Sequence, residues 1–431
     1  MRADLALAFA LTLAAAPAAA QVAPAPAVTA EGFTLNAALR AAAQHPRVAS
    51  ARSLLRAAGH DVEAAGLWTN PQLGAVYMRS FGFTTFDPQI GVAQLGVTQQ
   101  VESAGLPGRR RRAAGYEREA AALELDGARR SVELRVVASF VRLVAAAQRL
   151  AVLRAAAAGT ERVAALVDAR AAAGASPGYE RTRAALGLAD ARAAVGDAEA
   201  DLVAARGELD VAVGPAAASL RGEARGDRRA AVELPPLAPA HDALPATRAD
   251  LGAARARSRA AGALVDVARA EPAPGFQVYG GVLVGQGYGE QGQRQVDFMV
   301  GVTVPLPVAN RGEESSRAAA ARAQAARESL DAATLEARQR LDAAWREARR
   351  RRDALDGFLS GEAAHDRLLA ETEAAYRDGR VPVQALLDAY GAVRDARLRA
   401  VELAAAAREA EARCWEAVGA APDAARTGPR E

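Results

Sequence analysis

Apolar and polar positions along this chain follow two rhythms. From Thr34, which can cap a helix, to about Leu67 the spacing is helical, and Asn70-Pro71 ends the run. Between Pro71 and Val101 the rhythm becomes alternation. Ala93, Leu95, Val97 and Val101 point one way, and Gln94, Gly96, Thr98, Gln100 and Glu102 the other. Residues 80–89, with Gly82, Asp87 and Pro88, read as a hairpin loop. Alternation returns in a third strand, with Phe276, Val278, Val282 and Val284 on one face. In a fourth, Val296, Phe298, Val300, Val302, Val304 and Leu306 alternate with Asp297, Met299, Gly301, Thr303 and Pro305. Each strand has about the 9–11 residues that a tilted membrane-spanning strand needs. A soluble sandwich alternates in the same way. Two isolated hairpins in a helical chain, however, cannot bury such a face alone, and lipid does not tolerate an open sheet edge. The pattern implies a barrel completed by further copies of the chain.

The remaining rhythm is that of long rods. Residues 108–172 contain no proline and, as one helix, would span about 95 Å at roughly 1.5 Å per residue. Residues 311–378 read as a matching rod. Alanine dominates both, with a sparse apolar stripe at Val132, Val136, Phe140, Leu143 and Leu150, so neighbouring rods can approach closely. Each rod ends in a glycine–proline turn: Ala173-Gly174-Ala175-Ser176-Pro177 and Asp378-Gly379-Arg380-Val381-Pro382. Return helices follow, from Pro177 to about Val213 and from Pro382 to about Val418.

The two halves repeat each other. Arg52 falls on Arg255 and Pro71 on Pro274 at an offset of 203; Gly96-Val97-Thr98 falls on Gly301-Val302-Thr303 at 205. Arg112-Ala113-Ala114 falls on Arg317-Ala318-Ala319, Pro177 on Pro382, and Asp190-Ala191-Arg192 on Asp395-Ala396-Arg397. Such self-similarity defines the architecture. The fold class is mainly α with membrane β: four transmembrane strands and long coiled helices per chain, internally duplicated. The expected organisation is a signal peptide at 1–20, a disordered segment at 21–33, a first repeat at 34–213, a connector at 214–245, a second repeat at 246–419 and a disordered tail at 420–431.

Composition narrows the setting. Arg2, the apolar run from Leu5 to Ala16 and Ala18-Ala19-Ala20 before Gln21 form a secretory signal, so the mature chain is expected to be exported. No later run of 18 apolar residues is evident, so no transmembrane helix is expected. Cys414 is the only cysteine, which leaves no disulfide framework and no lipidation site after the signal. All 54 basic residues are arginine, interleaved with 51 acidic ones, and aromatics make up only 4%. That is a solvated helical surface and not a nucleic-acid footprint. His45, His60, His241 and His365 lack zinc spacing, and His45 and His60 read as surface helix positions. No nucleophile elbow, phosphate loop or dinucleotide fingerprint occurs, so no enzyme and no cofactor is expected. The run Arg109–Arg112 opposes the dipole of the helix it begins. It reads either as a lipid-phosphate contact or as a solvated face.

With these residues in place the chain resembles the TolC-type outer-membrane efflux channels. The landmarks are Thr34-Leu35-Asn36-Ala37-Ala38-Leu39, His45-Pro46, Asn70-Pro71-Gln72-Leu73 and Gly379-Arg380-Val381-Pro382 leading to Leu386-Leu387-Asp388-Ala389. Two stretches resemble the cobalt–zinc–cadmium heavy-metal branch. They are Gln99-Gln100-Val101-Glu102 with Gly105 and Arg109–Arg112, and Val304-Pro305-Leu306-Pro307 with Asn310-Arg311-Gly312. The resemblance implies a homotrimer with a twelve-stranded barrel in outer-membrane lipid and a helical tunnel through the periplasm. It implies a passive exit duct for divalent heavy-metal cations, without a bound metal of its own. The tip turns at Gly174, Ser176 and Pro177 and at Gly379, Arg380, Val381 and Pro382 would meet a periplasmic adaptor and an inner-membrane proton-driven (RND-type) pump. Asp388 matches an acidic position that helps close the aperture; the position three residues earlier is Ala385. Asp388 is alternatively a solvated surface carboxylate. The competing functions are a drug, solvent or protein-secretion duct of the same family and, from another class, a periplasmic adaptor or structural coiled coil.

Overall fold

The computed structural model describes residues 32–79, 91–102, 105–172, 178–226, 233–272, 275–286 and 294–419. The expected signal, residues 21–31 of the segment expected to be disordered, the tail at 420–431, the loop at 80–89 and the first tip turn (Gly174, Ser176, Pro177) lie outside the described residues; Phe33, at the end of the 21–33 segment, is buried and ordered by its bridge to Ala224.

The first helical run is two helices, α1 (Leu35–Ala42) and α2 (Pro46–Ala65), not one. Pro46 forces the break: it lacks an N–H, so it opens α2 at N1, and His45 Nδ1 accepts the Arg47 N–H at 3.1 Å. His45 is therefore a buried cap and not a surface residue. Strands β1 (Gln72–Arg79) and β2 (Gly91–Val101) follow, then α3 (Leu106–Ala172) as one unbroken helix of 67 residues. The return helix is α4 (Gly178–Val213).

The connector is less irregular than its prolines suggest. It holds a short 3-10 turn at Pro215–Ser219, a parallel bridge from Ala224 to Phe33, and helix α5 (Leu237–Thr247). Pro239 sits in the first turn of α5, where its missing donor has no helical partner to lose. Ala240 and Leu244 bury the helix against Leu341, Ala348, Ala410 and Cys414.

The second copy runs α6 (Ala249–Ala270), β3 (Phe276–Gln286), β4 (Arg294–Thr303), α7 (Glu313–Leu359), α8 (Glu362–Arg377) and α9 (Val383–Val418). The second rod is thus interrupted, where one continuous helix was expected. The break falls at Ser360-Gly361, the kind of pair at which helices kink, and the equivalent positions in α3 are Ala155 and Ala156.

The four strands form one antiparallel sheet in the order β1-β2-β3-β4. Leu73 pairs with Val97, and 205 residues further along both strands Val278 pairs with Val302, so the hairpins repeat in register. α3 is the spine of the helical part and packs against α2, α4, α6 and α9. Val132, Val136, Phe140 and Leu143 of α3 are buried with Leu209 and Val213 of α4 and Val48 of α2. α3 also contains a window long and apolar enough to cross a membrane by composition, which the sequence reading did not anticipate; only 33% of that window is buried.

Candidate functional site

The pairing register assigns every strand residue to a face. Leu73, Ala75, Tyr77, Leu95, Val97, Val278, Val282, Val296, Phe298, Val300 and Val302 share one side. Phe298 is 84% and Val300 82% exposed, so this apolar face has no protein cover in the single chain. Large apolar side chains left uncovered on a sheet face mark a surface that water is not meant to meet. The other side carries Gln72, Gln94, Thr98, Gln100, Gln277, Tyr279, Gln295, Asp297 and Thr303, with glycines and the apolar Val76, Met78, Val92, Leu283 and Met299 among them. No arginine stands among the described positions of that polar face.

Tyr279 dominates the polar face. Gln94 Nε2 donates to its hydroxyl at 2.5 Å, and its ring lies over Gly96 and Gly281. A Cβ at Gly96 would meet the end of the Tyr279 ring, so a larger residue there would push that ring aside.

Where strands become helices, the arginine run is largely tied to protein acids. Arg110 pairs with the nearly buried Glu102 at 2.9 Å, and Arg111 with Glu63 of α2 at 3.1 Å. These acids offset the positive charge at the start of α3. The Asn310-Arg311-Gly312 motif has a local cause: Asn310 Oδ1 accepts the Gly312 N–H at 2.9 Å, and Gly312 is left-handed at φ 75° against Pro272.

At the far end, the second turn is a Schellman motif. Gly379 has φ 71°; its N–H bonds to Tyr376 O at 3.0 Å, and Arg380 N–H reaches back to Ala375 O at 2.8 Å. Arg380 pairs with Asp378 at 2.7 Å, and Pro382 precedes α9 in extended conformation. Tyr376, Val383 and Leu386 are buried with Val163 and Val167 of α3 and Ala184 of α4, while Val381 packs against them. This cluster welds the second turn to the first hairpin. The Arg170 guanidinium sits 5.0 Å from the Tyr376 ring centroid, and the Tyr376 hydroxyl has no hydrogen-bond partner among the described residues. Asp388 is exposed and accepts from Gln384 Nε2 at 2.8 and 3.0 Å.

The tip holds a group that sequence reasoning missed. Tyr390 Oη donates to Glu373 at 2.5 Å, joining α9 to α8, and its ring rests on Gly159 of α3. Burial first, and then the Glu373 bond, push the phenol above its ordinary pKa; Arg162 opposes this. A tyrosine two residues after Asp388 was visible, but nothing in the sequence revealed its partner. Among the described residues no cluster of three histidine, cysteine or acidic side chains could hold a metal ion.

Residues 38–215 and 241–420 each match the family described as outer membrane efflux protein. The chain belongs to that TolC-type family. No curated relative matches it. Among solved structures it is similar to the outer-membrane channel OprN, at 20% identity with 90% of each chain covered and a TM-score of 0.75. It is similar to the outer membrane protein VceC of Vibrio cholerae at 19% identity, covering 90% of this chain and 96% of that one, TM-score 0.71. It is also similar to CusC at 17% identity, with 90% and 92% covered and a TM-score of 0.73. These likenesses show the fold; the family match shows the class. The protein is an outer-membrane efflux channel extending into the periplasm, without enzymatic activity, of the kind that works in tripartite systems.

Proposed function

We propose that this channel is a homotrimeric exit duct for divalent heavy-metal cations. Three copies of the four-stranded sheet close a twelve-stranded barrel, with the exposed apolar face toward lipid and the polar face toward the lumen. The observation that carries the cation reading is the absence of arginine from the described inward positions of a chain that has 54; amides, hydroxyls and Asp297 stand there beside the apolar Val76, Met78, Val92, Leu283 and Met299. A wall lined this way does not repel cations and offers amide dipoles in place of water. Two stretches that resemble the heavy-metal branch, around Gln99–Glu102 and Val304–Gly312, point the same way.

The two repeats, 34–213 and 246–419, act as equivalent staves joined by the 214–245 connector. The tip turns with Gly174, Ser176 and Pro177 and with Gly379, Arg380, Val381 and Pro382 meet a periplasmic adaptor, and through it an inner-membrane pump. Asp388, exposed just beyond the second turn, narrows the aperture when three copies bring their carboxylates together. The test is accumulation of zinc, cobalt and cadmium beside an unrelated dye in a strain lacking only this gene. Metals accumulating without the dye is the expected result. Dye accumulating without metals overturns the metal cargo and leaves a general efflux duct.

A further inference from the structure

Where α9 lies along α3 and α4, the packing leaves a cavity of about 340 Å³. Leu153 of α3, Leu186 of α4 and Leu387 of α9 give it an apolar lining. Small residues hold it open: Gly187 and Gly391 both line it, and a Cβ built at Gly391 meets nothing within 4 Å. The volume falls at the small end of clefts that take small molecules. Every one of these residues belongs to the same chain, so the cavity is formed without a second copy.

Charge around the cavity breaks a local habit. Elsewhere the α3–α4 coil neutralises its arginines across the seam: Arg154 with Glu199, Arg181 with Asp168 and Arg192 with Glu161. At the cavity this stops. Arg183 and Asp190 of α4 both line it, about two turns apart, and among the described residues neither forms an ion pair. Arg394 of α9 lines it too, and its Nε donates to the neighbouring Asp395 at 2.9 Å. Its two Nη groups hold no protein acid among the described residues. The cavity therefore offers two guanidinium forks and one carboxylate around an apolar lining.

We propose that this cavity binds a small amino dicarboxylate, with the size and charge pattern of glutamate. Each guanidinium takes one carboxylate, for which its planar fork is suited. Asp190 takes the ammonium, and the carbons between the charges lie on the leucines. Inorganic phosphate leaves Asp190 without a partner and the leucines wet. A plain hydrocarbon strips water from three charges and returns nothing. Tyr390 lines the same cavity, and its hydroxyl holds Glu373 of α8. A ligand that joins Arg183 on α4 to Arg394 on α9 thus ties the first hairpin to the helix that carries that bond.

The test is isothermal titration of L-glutamate into the full-length channel in detergent, with succinate and inorganic phosphate run beside it. Ionic strength is held fixed, because diffuse attraction to an arginine-rich surface is screened by salt. Saturable glutamate binding is expected, about tenfold or more tighter than succinate or phosphate. Arg183→Gln and Arg394→Gln should each weaken it by about tenfold or more, and Asp190→Asn should erase the advantage over succinate. Gly391→Leu keeps every charge and fills the cavity, so it should abolish binding. No saturable heat from the native channel overturns the site. Binding that survives Gly391→Leu also overturns it, because the ligand then sits elsewhere. Succinate or phosphate binding as tightly as glutamate overturns the ligand class.

Discussion

The hydroxyl of Tyr390 on α9 donates to the carboxylate of Glu373 on α8 at 2.5 Å, and this bond clasps the two helices beside the second tip turn. A hydrogen bond to a charged acceptor is worth about 1.5–3 kcal/mol. Tyr390→Phe should weaken the clasp, and closed-state leak in planar bilayers should rise several-fold. An unchanged leak would show that the bond does not hold the tip.

The same phenol sets a pH dependence. Its pKa in the fold lies above the ordinary value of 10.0, so its contribution is complete below that pH and disappears as pH rises through the higher folded value. Leak through the native channel should be flat between about pH 6 and 9 and increase only beyond about 10. The Tyr390→Phe channel should lack the alkaline rise of this origin.

Gly379→Ala places a Cβ in a left-handed residue, φ 71°, at a cost of about 1–2 kcal/mol. Nothing lies within 4 Å of that added carbon, so the penalty is conformational and not steric. The melting temperature of the detergent-solubilised protein should fall by a few degrees, and Gly379→Asn should recover part of the loss. Equal melting for Ala and Gly would remove the backbone explanation.

Glu411 of α9 is 2% exposed and pairs with Arg352 and Arg408, each at 2.6 Å. Glu411→Gln leaves two inward guanidiniums without their anion, a change of about 3–5 kcal/mol. Thermal or urea unfolding should register a loss of that order. A loss below about 1 kcal/mol would mean that the arginines find water instead.

Cys414 lies beside that network, and burial, with Glu411 second, raises its pKa to about 11. The reactive thiolate is therefore scarce at neutral pH. Labelling by a maleimide at pH 7 should be negligible in the folded channel and complete after denaturation. Rapid labelling of native protein would contradict the burial.

Tyr279 crosses the polar sheet face above Gly96 and Gly281. Tyr279→Ala should raise open-channel conductance while leaving assembly intact. Unchanged conductance would show that Tyr279 does not narrow the conducting path.

Most of the architecture was legible because repetition and alternation are global signals. Val296 to Val302 announced a strand with one apolar face, and the proline-free run through Leu150 announced α3. Punctuation was harder to read. Ser360-Gly361 breaks the second rod, yet Gly159-Thr160 sits inside an unbroken helix, with Tyr390 packed onto that glycine. His45 resembled any exposed polar residue until Pro46 required a cap. The tip was half legible: Gly379 and Pro382 marked the turn, whereas the Tyr390–Glu373 bond depends on how two helices rotate against each other. No periodicity encodes that rotation.

The unequal rods have a mechanical consequence. α3 is a single beam, while its counterpart is jointed at Ser360-Gly361, with a terminal segment of 16 residues, about 24 Å long. A lateral force at the tip meets stiffness on one side and a joint on the other. Deflection concentrates at that joint, and the Tyr376 cluster passes it across to α3 and α4.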